Sequence, residues 1–349
     1  MLFLIYSFVL KKRDFMKKTI LGVLITLMVS CNNNETENVT PENTNVEETN
    51  ITAGKEAFCG SDILRRKHLA EDPAAMQRML QIEQQTVSFI EQKKMGKILP
   101  DGSVEIPVIF NVLYTKASNN VSDARINSQI DVLNKAFAST HADISKIPAE
   151  FQSVNAGDTK IKFRLAGINR KSTKTSRWAP DDKMKKASTG GMDSTNPNQY
   201  LNIWVVDYMP YQTGYVLGYA TFPEDAGLWN DGVVMMDDYV GEGGPDATHN
   251  QGRVTVHEVG HYLNLRHIWG DANCGDDLVG DTPQQITKHS SVPTYPRYET
   301  CGGVSRSVMF MNYMDYSDET TLFMFTQQQN NRMQASVSAS GPRAGLRVL

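Results

Sequence analysis

The sequence predicts an α+β domain. Strand-like apolar runs surround one amphipathic helix in the first half, and a helix with histidines at helical spacing begins near Val254. From about Gly270 onward, Gly, Asp and Pro recur without periodicity, which reads as loop. With 349 residues, 40% hydrophobic and 21% charged, the chain can build one large core or two ordinary ones. A net charge of -4 and a pI of about 6.0 argue against a nucleic-acid partner, which leaves a basic footprint.

The N-terminal elements read as export machinery. The opening MLFLIYSFVLKKRDF reads as sequence upstream of a true start at Met16. From there a Lys pair precedes an apolar run, Ile20 to Val29, that is too short for a permanent membrane span. Residues 1–30 are therefore expected to be a signal peptide. Ser30-Cys31 resembles a lipobox, with Met28 three positions before the Cys. Two readings stay open: Cys31 is lipidated and anchors the chain to a membrane, or it follows an ordinary cleaved signal and the protein is freely secreted. Residues 31–53, rich in Asn, Glu and Thr, are expected to be a disordered tether. Residues 54–100 form a polar, helical stretch. Arg65, Arg66 and Lys67 stand near its start, Met76, Met79, Leu80, Val87 and Ile90 are its apolar positions, and its end is basic, Lys93 to Lys97. It suits a propeptide or, alternatively, an N-terminal helix of the mature protein.

The folded domain is expected over residues 101–349. IPVIFNVLY (106–114) is a buried strand, and Ser122 to Phe137 is a helix with Ser122 as N-cap and Ile126, Ile130, Leu133 and Phe137 on one face. Ile161 to Ala166, Tyr200 to Val206, Gly218 to Phe222 and Val233 to Met236 complete a set of short strands.

The chemistry concentrates in VTVHEVGHYLNLRH (254–267). On a helix, His257 and His261 are four apart and point the same way, so their rings can meet one cation, and neutral imidazole is a good zinc ligand. Glu258, about 100° around the helix, reaches a water beside that ion rather than the ion itself. His267 is the third histidine. A continuing helix would turn it about 240° from His261, so the chain must bend between them. The bend position is Asn264, after Gly the residue best suited to positive φ. Downstream, MNYMDY (311–316) looks like a Met-turn that would place Met314 beneath the histidines. A purely structural zinc site would have no use for Glu258.

Together HEVGHYLNLRHIWGD (257–271), DLVGDTP (277–283) and MNYMDYSDETTLFMFT (311–326) resemble the pappalysin family of metzincin peptidases, which includes ulilysin-like enzymes, over roughly residues 100–345. The resemblance implies a metzincin catalytic domain split by a cleft. A twisted, mostly parallel sheet and the active-site helix lie above the cleft, and an irregular subdomain lies below. It implies a zinc-dependent endopeptidase acting on protein or peptide substrates and made as a latent zymogen. A monomer is expected.

The resemblance also distributes roles. Tyr316 aids the transition state or is a packed aromatic. Cys274 and Cys301 form a disulfide, while Thr321 stands where a second family disulfide would have its later Cys. Asp277, Asp281 and Thr282 hold calcium or are solvated acids. Cys59, in AFCGSD, is a latency switch whose thiolate takes the water's place on zinc, or a free Cys. Asp318 and Glu319 would face a basic substrate residue just after the cut bond, or lie at the surface. Gly218 to Phe222 is the expected edge against which substrate pairs.

Overall fold

The computed structural model describes residues 57–95 and 103–347. The expected signal peptide and tether, with Met16 and Cys31, and the basic residue Lys97 lie outside them.

An N-terminal segment comes first: strand β1 (Ala57–Cys59), helix α1 (Ser61–Glu71) and helix α2 (Pro73–Lys94). The expected single helical stretch is broken because Pro73 cannot continue a helix. Asp72 ends α1 and caps α2 by accepting from the Ala74 amide at 2.9 Å. The buried face of α2 is Ala75, Ile82, Thr86 and Phe89, so Met76, Leu80 and Val87 face solvent instead.

The domain proper is built on β2 (Val104–Tyr114), α3 (Asp123–Phe137), β3 (Ile161–Ser172), β4 (Leu201–Val206), β5 (Pro210–Tyr211), β6 (Gly214–Ala220) and β7 (Val233–Met236). The sheet order is β1-β6-β7-β4-β2-β3, with β5 paired to β6. The pairs β2/β3, β2/β4 and β4/β7 are parallel, while β6 runs antiparallel to β7. Every residue of β4 and β7 is buried, as fits strands covered on both faces. β3 lies at one edge, and its early residues alternate between buried and exposed. The Ser122 hydroxyl caps α3 by accepting from the Arg125 amide, and Ile126, Ile130, Leu133 and Phe137 are all buried. The strand expected over Gly218 to Phe222 begins four residues earlier and ends at Ala220, and Pro223 starts a 3-10 turn just beyond it.

Helix α4 (Arg253–Tyr262) is buried along its whole length. Below it the chain is irregular apart from the hairpin β8 (Tyr298–Cys301) and β9 (Val304–Ser307), and then α5 (Gln327–Val337). The lower half has a small core of its own: Ile268, Trp269, Met309, Phe310, Met311, Phe323 and Met324 pack with Ile147 and Phe151. The expected disulfide joins Cys274 to Cys301 across 27 residues and ties the hairpin to the loop after α4.

Closing a loop of that size constrains the unfolded chain by about 3 kcal/mol. The double variant Cys274→Ser/Cys301→Ser is expected to lose about that much stability in urea unfolding. Equal midpoints for parent and variant would show that the hairpin is held without the bond.

Candidate active site

The site starts with the end of α4. The Leu265 amide donates back to the Gly260 carbonyl at 2.9 Å and the Asn264 amide to that of His261 at 3.0 Å. This closing turn needs a left-handed residue, and Asn264 takes it with φ of +81°. The chain then doubles back and brings His267 under the helix.

The three imidazoles converge. Nε2 of His261 lies 3.1 Å from Nε2 of His257 and 3.1 Å from Nε2 of His267. Each Nδ1 is already engaged. His257 donates to the Tyr313 carbonyl at 2.6 Å, His261 to the Leu265 carbonyl at 2.8 Å, and His267 to Asp271 Oδ1 at 2.5 Å. Those partners place the ring protons on Nδ1, so three Nε2 lone pairs face one another. Burial above all pushes His257 down to about 3 and lowers His261 well below the ordinary range, which keeps both neutral. Facing lone pairs repel unless a cation lies between them. Their spacing is close to the roughly 3.3 Å nitrogen separation of a tetrahedron with zinc–nitrogen bonds of about 2.0–2.1 Å. The donor set fits zinc.

Support comes from below and beside. Gly260 carries no Cβ because Met314 needs the space: a Cβ there would stand 2.5 Å from the Met314 sulfur. The Ile268 amide donates to the Met314 carbonyl at 3.2 Å, tying the returning chain to the Met-turn. Trp269 stacks on His267 with centroids 4.3 Å apart. Asp271 and Trp269 were not singled out from sequence, although an acid four residues after a ligand is a readable hint.

Cys59 completes the cluster. Its sulfur and the three histidine nitrogens lie within 4.8 Å of one another, and all four residues are buried. Glu258 stands beside it. Its Oε2 accepts from Ser61 Oγ at 2.8 Å and lies 3.3 Å from the Cys59 sulfur, while Oε1 is buried without a hydrogen-bond partner. Burial raises its carboxyl to about 7, against the lowering effect of the Ser61 and Cys59 contacts. The Tyr316 hydroxyl donates to the Cys59 carbonyl at 3.2 Å, and its ring lies 5.0 Å from that of His267. Ser61 carries no motif of its own, so sequence reasoning missed it.

Other expectations fare differently. β1 pairs in parallel with β6, setting Phe58 against Val216 and Cys59 against Gly218, so the edge expected to receive substrate is occupied by the chain's own segment. Glu319 does not present its carboxylate to the site. It is buried and accepts from the Gln251 and Val254 amides, capping the N-terminus of α4. Asp318 lies outside the small pocket beside Glu258, whose acidic walls are Asp315 and Glu319. Thr282 Oγ1 donates to both oxygens of Asp277, but Asp281 turns away to Thr326 Oγ1 and the Gln328 amide, where it caps α5. Among the described residues the Cys–His₃ group alone gathers three or more His, Cys, Asp or Glu donors closely enough for a metal.

Comparison with known proteins decides the family. The peptidase family described as pregnancy-associated plasma protein-A (Peptidase_M43) matches residues 187–338. An extracellular metalloprotease of Verticillium alfalfae is 32% identical over 68% of this chain and 78% of its own length. The chain belongs to the pappalysin family of metzincin peptidases. This pappalysin is a zinc-dependent metallopeptidase, and its catalytic fold matches mature mirolysin of Tannerella forsythia bound to a cleaved peptide (TM-score 0.67, 36% identity, 71% of this chain and 97% of that one). The match to promirolysin of the same organism has a TM-score of 0.72 at 34% identity and covers 83% of this chain and 97% of that one. Among the pappalysin's described residues no helix is long and apolar enough to cross a membrane.

The left-handed turn predicts a ranking. Asn264→Gly should bind zinc as the parent does, whereas Asn264→Val should lose about 1–2 kcal/mol of stability and release zinc at lower chelator concentration. Equal zinc retention by the Val variant in a chelator titration would refute the bend argument.

Proposed function

We propose that the chain is the latent zymogen of an exported zinc endopeptidase, with residues 54–100 as pro-segment and 101–349 as the peptidase. One observation carries this reading: Cys59 stands as fourth donor to three converging histidines, in a strand that covers the substrate edge of β6. The wider match to the pro-form of mirolysin, 83% of this chain against 71% for the mature form, supports the assignment.

In this reading His257, His261 and His267 hold zinc, and Cys59 closes the site until the pro-segment leaves. Bound zinc supplies Lewis-acid polarisation of the scissile carbonyl and a lowered pKa for water. Glu258 takes the proton of the attacking water at Oε1, the oxygen left without a partner, and returns it to the leaving amine. A carboxyl raised to about 7 suits a group that both accepts and gives back a proton. The Tyr316 hydroxyl, which donates to the Cys59 carbonyl in the latent form, donates to the substrate oxyanion in the active one. Substrate takes the place of β1 beside β6, fixed by main-chain hydrogen bonds.

Latency has a second contact. Ser61 Oγ accepts from the Ala220 amide at 2.8 Å and donates to Glu258, so the pro-segment engages the general base as well as the metal position. Outside the site it is clamped by Arg65 on Glu224 at 2.6 Å, by His68 between Asp225 and Asp182 at 3.0 and 3.3 Å, and by Glu83 on Arg332 at 2.7 Å. With Glu319 turned to the start of α4, a preference for Arg or Lys after the cut bond falls to Asp318, half-buried on the loop after the Met-turn. The extracellular relatives support export, with Cys31 as lipid anchor where the protein stays on a membrane.

Cleavage of a mixed peptide library, read by mass spectrometry, tests the reading. Glu258→Ala should lower kcat about 10²–10⁴-fold with zinc retained, and cuts should cluster before Arg and Lys. Unchanged turnover in the Glu258 variant would remove the base from the mechanism, and cuts before apolar residues alone would remove the role of Asp318. The unprocessed Cys59→Ala chain should leak activity, and adding Ser61→Ala should raise the leak roughly tenfold, the worth of one charge-assisted hydrogen bond of about 1.5 kcal/mol. Equal leak with and without Ser61 would leave Cys59 as the sole restraint.

A further inference from the structure

The loop that carries Tyr316 is braced from beneath by a buried row of charges that the proposed mechanism does not use. His289 donates from Nδ1 to Asp315 Oδ2 at 2.7 Å and from Nε2 to Glu299 Oε1 at 3.0 Å. All three residues are buried, His289 at 3% exposure and Asp315 at 1%. With a carboxylate on each ring nitrogen, both nitrogens must carry protons, so His289 is an imidazolium. Burial alone would lower its pKa, but Asp315 and Glu299 more than offset that and raise it.

Asp315 is the residue between Met314 and Tyr316, and its carboxylate is saturated. Oδ1 accepts from the His289 and Tyr316 amides, each at 2.8 Å, and Oδ2 accepts from the Gln285 amide group at 3.0 Å in addition to His289. Glu299 in turn lies on β8, two residues before the disulfide-bonded Cys301, and its Oε2 accepts from the Ile286 amide at 2.6 Å. A continuous set of bonds thus runs from the hairpin through Glu299, His289 and Asp315 to the backbone of Tyr316.

We propose that this Glu299–His289–Asp315 row fixes the backbone from which Tyr316 presents its hydroxyl, which makes His289 a positioning residue for catalysis. A buried ion row that served packing alone could be replaced by apolar side chains at little cost, and one that is broken leaves an unpaired charge. Here the saturated carboxylate sits one residue from the group that must meet a substrate oxygen to within tenths of an ångström. Loss of the imidazolium frees Asp315 to relax, and the Tyr316 amide, bonded to the same carboxylate, moves with it. The inference rests on the proposed role of Tyr316 and names what that role depends on.

A double-mutant cycle on the enzyme matured from the full chain, with zinc content and thermal midpoint measured alongside, tests it. Glu299→Gln keeps the shape and the bond from Ile286 but removes one of the two charges that hold His289 protonated and breaks the row at the hairpin, while His289→Asn keeps a donor toward Asp315. In the parent background each should lower kcat about tenfold and leave KM within about twofold. In a Tyr316→Phe background each should cost less than about twofold further, because the hydroxyl they position is already gone. The same fold loss in both backgrounds, or a loss confined to KM, would overturn the positioning role while leaving Tyr316 in the mechanism. Full activity in Tyr316→Phe alone would overturn the tyrosine assignment and this inference with it. Glu299→Gln keeps the test decisive should His289→Asn fail to fold.

Discussion

Three imidazole Nε2 atoms brought together inside the protein are the constraint on which the rest of this structure depends. They are unfavourable together without a cation, and each is forced there by a separate device. Helical spacing aligns His257 with His261, the left-handed turn at Asn264 returns His267, and hydrogen bonds from each Nδ1 to the Tyr313 carbonyl, the Leu265 carbonyl and Asp271 hold the ring tautomers. Much of the surrounding sequence follows from holding α4 still. Glu319 caps its first turn, Gly260 yields space to Met314, and the helix is enclosed between the sheet and the lower core. A short helix buried along its length loses little on binding metal because its side chains are already ordered.

The N-terminal segment uses the same geometry in reverse. Every group that would act on a substrate has a partner in the stretch Phe58 to Ser61: the histidines have the Cys59 sulfur, Glu258 has Ser61, Tyr316 has the Cys59 carbonyl, and the edge of β6 has the β1 backbone. A segment placed only to block the cleft would need bulk. This one is narrow and matches the site group by group, and the ion pairs of α1 and α2 hold it from outside. In the proposed function, inhibition and substrate binding draw on one set of donors and acceptors.

Much of the fold was legible from local pattern. The largely apolar runs of β2, β4 and β7 read as strands, and Ser122 before a 3.6-residue repeat marked the start of α3. The break at Asp72-Pro73 was missed, although Pro after an acid is a readable stop. The buried side of α2 was not legible for another reason. Its helix carries apolar residues all round, and only the surface it lies on decides which of them are covered.

The sequence by itself determined the chemistry: HExxH, a third histidine beyond a residue tolerant of positive φ, and a Met-turn are local spacings, and helical geometry converts spacing into direction. Tertiary structure alone decided what each acid does. Glu319 became a helix cap rather than a pocket wall open to substrate, Asp281 parted from Asp277 to cap α5, Ser61 arrived at Glu258 from 197 residues away, and Glu299 and Asp315 met across His289. The physical reason is that a carboxylate or hydroxyl takes its role from whichever donors or acceptors burial brings to it. Those partners lie on distant segments whose approach no local periodicity encodes.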